Sequence, residues 1–288
     1  MWQRITLTLL LLLYQPSFSH AEASRDFDGT DDLVNMLSPA LFDDIAAFSI
    51  VAWINPDQIN GGEGSRGYIL AKFNSTPVGW TFYIEDTAGA GQNMLSFFAT
   101  FSGTDLFHRT TQATGITLDT WQRVAVTWDG SATVANAPLY VNGVESSYNT
   151  ATNGTLTRDS DAANRLLIAN RPAQDRTFDG QIAYVQLFNR ILTVRELEQV
   201  AFKPGSIANG LIGYWPLWGS SSPEVDLSGN GNTGALTGTT ASASGPNRVF
   251  LTGPFSALWR RLLEWISPVA WADDVVLCDP TDPTVPNR

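Results

Sequence analysis

Two dipeptides set narrow limits on what this chain can form. Asp129-Gly130 ends the run Trp121-Gln-Arg-Val-Ala-Val-Thr-Trp128, and Asn142-Gly143 ends Leu139-Tyr-Val141. Such pairs tolerate the positive φ of a two-residue turn whose twist suits two antiparallel strands, so both read as hairpin turns. The runs before them have company. Phe48-Ser-Ile-Val-Ala-Trp-Ile54 alternates, with Phe48, Ile50, Ala52 and Ile54 on one face, and halts at Asn55-Pro56-Asp57. Residues 68–73, 80–84, 94–101, 165–169 and 181–188 are further β-like runs between turn signals. No long helical period separates them, so βαβ crossovers are not expected. The pattern predicts an all-β fold, an antiparallel two-sheet jelly-roll sandwich. One short helix is expected near 193–202, with Thr193 as its cap and Glu196 completing a capping box.

Composition narrows the function classes. The 288 residues are 43% hydrophobic, 11% aromatic and 16% charged, which excludes intrinsic disorder and suffices for a large core. A net charge of −11, with Lys72 and Lys203 the only lysines, would repel phosphate backbones, so nucleic acid is not an expected partner. His20 and His108 are the two histidines, too few for a multi-histidine metal site. The lone Cys278 excludes an internal disulfide framework and any CxxC site.

Residues 1–23 read as a signal peptide. Arg4 supplies the positive start, 5–13 is an apolar run too short to span a bilayer, and Ala21-Glu22-Ala23 is a cleavage pattern. The expected location is therefore secreted, extracytoplasmic or cell-surface.

Several blocks together resemble laminin G-like domains of the concanavalin A-like lectin/glucanase superfamily, with pentraxins as more distant relatives. They are Phe27-Asp-Gly-Thr-Asp-Asp-Leu-Val34 with 48–56, then Trp121 to Gly130, Leu139-Tyr-Val-Asn-Gly143 and 178–192, in the family's order over 26–202. The resemblance implies a two-sheet jelly roll that binds ligands, often carbohydrate and sometimes with calcium. Gly210-Leu-Ile-Gly-Tyr-Trp-Pro-Leu-Trp218 and Asp226-Leu-Ser-Gly-Asn-Gly-Asn232 are similar to the family's first strand and loop, which usually precede the Phe-Asp-Gly block. Here they follow the domain. They either close the same sandwich in permuted order or begin a second copy, and closure is favoured because a stump would expose Tyr214, Trp215, Leu217 and Trp218. The domain is thus expected over 24–238, with 210–238 supplying a strand.

Retaining glucanases of the superfamily carry an E-x-D-x-x-E strand. The one E-x-D here is Glu224-Val-Asp226, and Gly229 stands where the second Glu belongs, so a glycoside hydrolase is the third-ranked reading. His108 reads as a surface loop residue beside Arg109 rather than part of a triad. Calcium chemistry fits better: Asp226, Ser228 and Asn230 alternate before Gly231 as in the opening of a calcium loop. Asp31 and Asp32 could complete a ligand set, and Asp175 lies where pentraxin-like relatives place a calcium loop. Sugar binding needs aromatic platforms near loops or strand ends, for which Trp80, Tyr83, Phe107 and Trp218 are the candidates.

Residues 239–253 read as a flexible linker. Beyond it an amphipathic helix is expected near 254–267, its stripe formed by Phe255, Leu258, Trp259, Leu262, Leu263 and Ile266. This helix could dock on its own sandwich, pack against another chain or touch a membrane interface. An acidic, Pro-rich tail follows to 288, where Cys278 could pair between chains. The sequence therefore points to an exported, non-catalytic carbohydrate-binding or adhesion module whose partner is a glycan. The competing class is a structural or assembly protein that uses the helix as its contact.

Overall fold

Phe48–Gln58 (β3) runs through the middle of the first of two antiparallel sheets, as its nearly unbroken buried pattern requires. Its neighbours on one side are Gln122–Trp128 (β8), Leu139–Val141 (β9) and Val144–Glu145 (β10). On the other side lie Asp179–Phe188 (β13), Ser24–Asp28 (β1) and Thr240–Ser242 (β16), with Leu211–Trp215 (β14) also paired to β13. The second sheet runs Tyr148–Thr152 (β11), Leu106–Thr110 (β7), Asn93–Ala99 (β6), Gly79–Asp86 (β5), Arg66–Phe73 (β4), Leu166–Ile168 (β12), Leu33–Asn35 (β2) and Ala235–Thr237 (β15). The two sheets make a jelly-roll sandwich. This computed structural model describes residues 23–59, 66–74, 76–86, 92–219 and 221–246. Glu22–Pro246 forms one unit, and Met1–Ala21 with Asn247–Arg288 another. In the second unit only the backbone of Val249–Leu251, paired in parallel with Val275–Leu277, is described. The leader up to residue 22, the helix expected near 254–267, Cys278 and the acidic tail lie outside the described residues. Among those described, no helix is long and apolar enough to cross a membrane.

Inward-facing side chains of both sheets fill one core. Phe48 packs against Trp80 at 4.8 Å between ring centroids and against Trp128 at 5.4 Å, and Phe97 meets Trp128 at 5.3 Å. The Asn142-Gly143 turn joins β9 to β10 with φ of 52° and 80°, the doubly left-handed pair that a two-residue hairpin needs. Asp129-Gly130 does something else. It opens a longer loop to Leu139, because Asp129 binds Ser131 N and Asn136 Nδ2 while Trp128 Nε1 donates to the Ser131 carbonyl. The helix α1 (Val194–Phe202) carries the expected Thr193–Glu196 capping box. It lies on the outer face of the first sheet, where Trp53 Nε1 donates to the Ala201 carbonyl and Arg123 covers Phe202 at 4.3 Å.

The chain after 210 closes this sandwich. Strand β13 is long enough to hold two partners along one edge: β1 against 179–182 and β14 against 185–188. Trp215 and Leu217 are fully buried as a result. Next, β15 joins β2 in the second sheet and β16 joins β1 in the first, so the start of the segment read as a linker is paired edge strand. Gly238 turns between them at φ 71°, where a Cβ would collide with the Asp32 carboxylate. Arg25 on β1 clips the segment down. Its guanidinium donates to Glu224 Oε2 at 2.8 Å, to Thr239 Oγ1 at 3.1 Å and to the Gly219 carbonyl, and both charged side chains are buried. Glu224 Oε1 also accepts Leu217 N at 3.0 Å. Burial pushes the Glu224 carboxyl up while the guanidinium pulls it down.

Removing one member of a buried ion pair strands the other, at about 3–5 kcal/mol. Urea denaturation of Glu224→Ala should show a loss of that size, and the Arg25→Met/Glu224→Leu pair should recover most of it. A loss below ~1 kcal/mol would mean that the clip does not hold the segment. A second expectation concerns α1. Glu196 is held at about 2, against an ordinary 4.5, first by hydrogen bonds from Arg190 and then by the Thr193 cap. A lowered acid contributes stability that is complete above its unfolded value and is lost as pH falls through the folded one. Glu196→Gln should therefore be less stable than the parent at pH 7, with the gap closing towards pH 2 in a denaturation series.

Candidate functional site

Alternation along β5 sends Trp80, Phe82 and Ile84 into the core and leaves Thr81, Tyr83 and Glu85 on the outer face of the second sheet. Register brings matching residues alongside. Tyr68 pairs with Tyr83 at 5.3 Å, Phe98 lies 6.0 Å from Phe73 and 6.4 Å from Phe107, and Ser96 stands between Tyr83 and Arg109. The result is a cluster of five aromatic rings on four neighbouring strands, separate from the sandwich core, in which Tyr68, Phe73 and Tyr83 are buried and Phe98 and Phe107 are partly exposed. Arg66 covers Tyr83 at 5.4 Å, and Arg109 covers Phe107 at 5.3 Å.

One carboxylate sits between these cations. Glu85 is 1% exposed and accepts Ser96 Oγ at 2.6 Å. Arg66 Nε lies 3.4 Å from one of its oxygens, and a terminal nitrogen of Arg109 lies 3.7 Å from the other. Arg109 is further fixed by Asn149 Oδ1 and Thr150 Oγ1, each at 2.9 Å, whereas the Arg66 side chain is 40% exposed. Burial, then the Glu85 charge, drives the Tyr83 phenol far above its ordinary range, so it stays a neutral hydroxyl.

The four aromatic candidates therefore part company. Tyr83 and Phe107 share this face. Trp80, fully buried against Phe48, belongs to the core and cannot serve as a platform. Trp218 is elsewhere, 45% exposed and set edge-on to Tyr184 at 6.3 Å. Its loop is tied on both sides of the ring by Leu217 N on Glu224 and by Arg25 on the Gly219 carbonyl. His108, expected in a surface loop, lies on β7 with its ring turned inward. It contacts the Ala137 carbonyl at 2.8 Å and stacks on Tyr148 at 3.6 Å. Arg66, Glu85, Phe98 and Arg109 did not emerge from the sequence; the period-two patterns of β4 to β7, followed outward rather than inward, are the signal that marks them.

The carboxylate candidates divide too. Asp31 and Asp32 come together with Asp28, which the sequence reading did not name, and one oxygen of each lies within 4.8 Å of the others. The loop is built from within: Thr30 N donates to Asp28 Oδ1 and Asp28 N to Asp32 Oδ2. Asn170 Nδ2 reaches the Asp32 carbonyl and Thr177 Oγ1 the Thr30 carbonyl, tying it to 170–177. Burial raises the Asp32 carboxyl, and the charges of Asp28, Asp31 and Asp26 add to that rise. Three such oxygens at this spacing fit a hard divalent cation, which would relieve the repulsion. Asp226 does not join them. Its oxygens accept Tyr214 N, Ser228 N and Asn232 N, so it shapes a turn, and Asn230 Nδ2 donates to the carbonyls of Leu211 and Ile212. Asp175 forms a two-pronged ion pair with Arg171 at 2.5 and 2.6 Å, which lowers its carboxyl.

Residues 28–198, more than half of the chain, match a laminin G-type model described as concanavalin A-like lectin/glucanases superfamily. The chain belongs to that superfamily. No curated protein is similar enough in sequence to match. Among solved structures it is similar to a Bacteroides ovatus protein to which carbohydrate binding has been ascribed, at 18% identity and a TM-score of 0.58. That likeness covers 80% of this chain and 62% of the other, so the chain spans under two thirds of the relative's length. A heptameric SAP-like pentraxin from Limulus polyphemus is 14% identical, with coverages of 78% and 96% and a TM-score of 0.48. Domain 4 of an extracellular arabinanase from Geobacillus stearothermophilus, solved with arabinotriose, is 18% identical, with coverages of 62% and 76% and a TM-score of 0.39.

Proposed function

We propose that this protein is an exported, non-catalytic carbohydrate-binding module, acting in adhesion to glycans outside the cell. One observation carries the reading: the outer face of the second sheet gathers aromatic rings, guanidiniums, hydroxyls and an amide on adjacent strands. Sugar rings offer flat apolar faces edged by hydroxyls, and such a cluster with polar groups at its margin suits both. The first sheet's outer face is instead occupied by α1. Hydrolysis would need a pair of carboxyl groups flanking the glycosidic bond. Among the described residues, this face offers Glu85, already held by Ser96 and two arginines, and Glu224 of the E-x-D sequence is spent on Arg25. On a glycan array, the parent chain should bind one glycan class, and Phe107→Ala and Phe98→Ala should each weaken that binding roughly tenfold, about 1.4 kcal/mol. Unchanged binding in both variants would move the site off this face, and silence across the array would sink the glycan reading.

We further propose calcium as the occupant of the Asp28–Asp31–Asp32 loop. A cation bound only by the folded chain stabilises it, by about 2.7 kcal/mol at a hundredfold excess over its dissociation constant. Calcium should therefore raise the melting temperature of the parent and of Asp226→Asn, but not of Asp31→Asn/Asp32→Asn. An equal shift in all three would place the ion elsewhere.

A further inference from the structure

The cations around the aromatic cluster are out of keeping with the rest of the chain. The net charge is −11 and the whole sequence holds 17 lysines and arginines. Arg66 and Arg109 nevertheless stand on this one face, flanking Tyr83 and Phe107. At the Tyr68 end two more lie close by: Tyr68 N donates to the Arg176 carbonyl, and the charges of Arg171, Arg66 and Arg176 all act on the Tyr68 hydroxyl. Four guanidiniums thus surround the two tyrosines, against the carboxylates Glu85 and Asp175. Among the described residues the balance here is positive, on a strongly acidic protein. Arg66 is the most exposed of the four, its side chain 40% exposed against 19% or less for the others.

Resting on the carbohydrate-binding reading above, we propose that this face selects acidic glycans, polymers whose pyranose rings carry carboxylates. The partly exposed rings of Phe98 and Phe107 would take the apolar sugar faces, and the guanidinium of Arg66, with Arg109 behind it, would take the carboxylate. A planar guanidinium meets a carboxylate with two parallel hydrogen bonds, which a neutral sugar cannot supply. The acidic remainder of the surface would repel the same polymer, confining it to this face.

Titration calorimetry of the full chain with oligogalacturonate, and with the same oligomer fully methyl-esterified, separates charge from ring shape. The acidic oligomer should bind, and its ester, which keeps the rings and loses the charge, should bind at least tenfold more weakly. Added salt should weaken only the first. Arg66→Gln should reproduce the ester's loss, and Arg66→Lys, which keeps charge without the fork, should recover only part of it. Cooperative melting of each variant confirms that it is folded. Equal affinity for both oligomers, or an unaltered Arg66→Gln, would overturn the proposal. Failure of oligogalacturonate to bind while a neutral glycan binds on the array would overturn acid selection and leave the carbohydrate-binding reading standing. Failure of every glycan would overturn both.

Discussion

Arg25 and Glu224 are 199 positions apart, and their contact decides whether the sandwich is whole. A charge buried without a partner is far more costly than the same charge in water, so neither side chain can enter the protein alone. Arg25 enters on β1, next to the β16 edge of the first sheet, and Glu224 enters on the loop between β14 and β15. Their pairing therefore requires the segment after residue 210 to be in place before the Arg25 charge is satisfied. The consequences spread outward from there. Glu224 holds Leu217, which sets the Trp218 loop, while Thr239 beside Gly238 places β16 along β1 and brings the turn against Asp32. Exposed Trp218 and the acidic loop are both positioned by the same closure.

The two outer sheet faces are finished in different ways. On the first sheet, α1 lays Phe202 on Trp53, and the indole and Gln186 donate hydrogen bonds to helix carbonyls. That face is finished. On the second sheet the outward positions hold Glu85, Ser96, Arg66 and Arg109 among rings. Aromatic and β-branched residues alone would have packed a sheet face at lower electrostatic expense. Polar groups kept there need their geometry maintained by one another, and the Glu85–Ser96 bond at 2.6 Å with flanking guanidiniums is such an arrangement.

Much of the fold was legible because it depends on period and turn chemistry. Phe48, Ile50, Ala52 and Ile54 alternate in the sequence and all four are core residues, and Thr193 and Glu196 cap the helix they were expected to cap. The site was legible only in part, and for a definite reason. A strand's alternation says that Trp80 and Tyr83 lie on opposite faces, but not which face is the core; that is fixed by register against β6 and by Phe48 across the sandwich. Asp226 shows the same limit. Its spacing to Ser228 and Asn230 suits a calcium loop and suits an Asx turn equally, since both are oxygens converging on a tight bend. In the structure Asp226 accepts three backbone N–H groups, the bonds of the turn.

Lys72 shows what the chain does with a cation it does not offer to a ligand. Its ammonium is fully buried and donates to Asp43 Oδ1 at 2.9 Å and to the carbonyls of Asp161 and Asn164 at 2.6 and 3.0 Å, with Asp161 Oδ1 at 3.2 Å. Asp161 in turn binds Arg158, which lies over Trp128. Every donor of this lysine is consumed, so it pins the 43–44 and 158–164 loops and nothing more. Arg66 is the opposite case on the same strand, six residues away: a long ion pair, a ring beneath it, and much of its guanidinium-bearing side chain in solvent. A fork anchored on one side and open on the other has capacity left for an external carboxylate. The proposed recognition of an external carboxylate on the outer face, rather than in the interior of the sandwich, rests on this contrast between a saturated lysine and a more exposed arginine on β4.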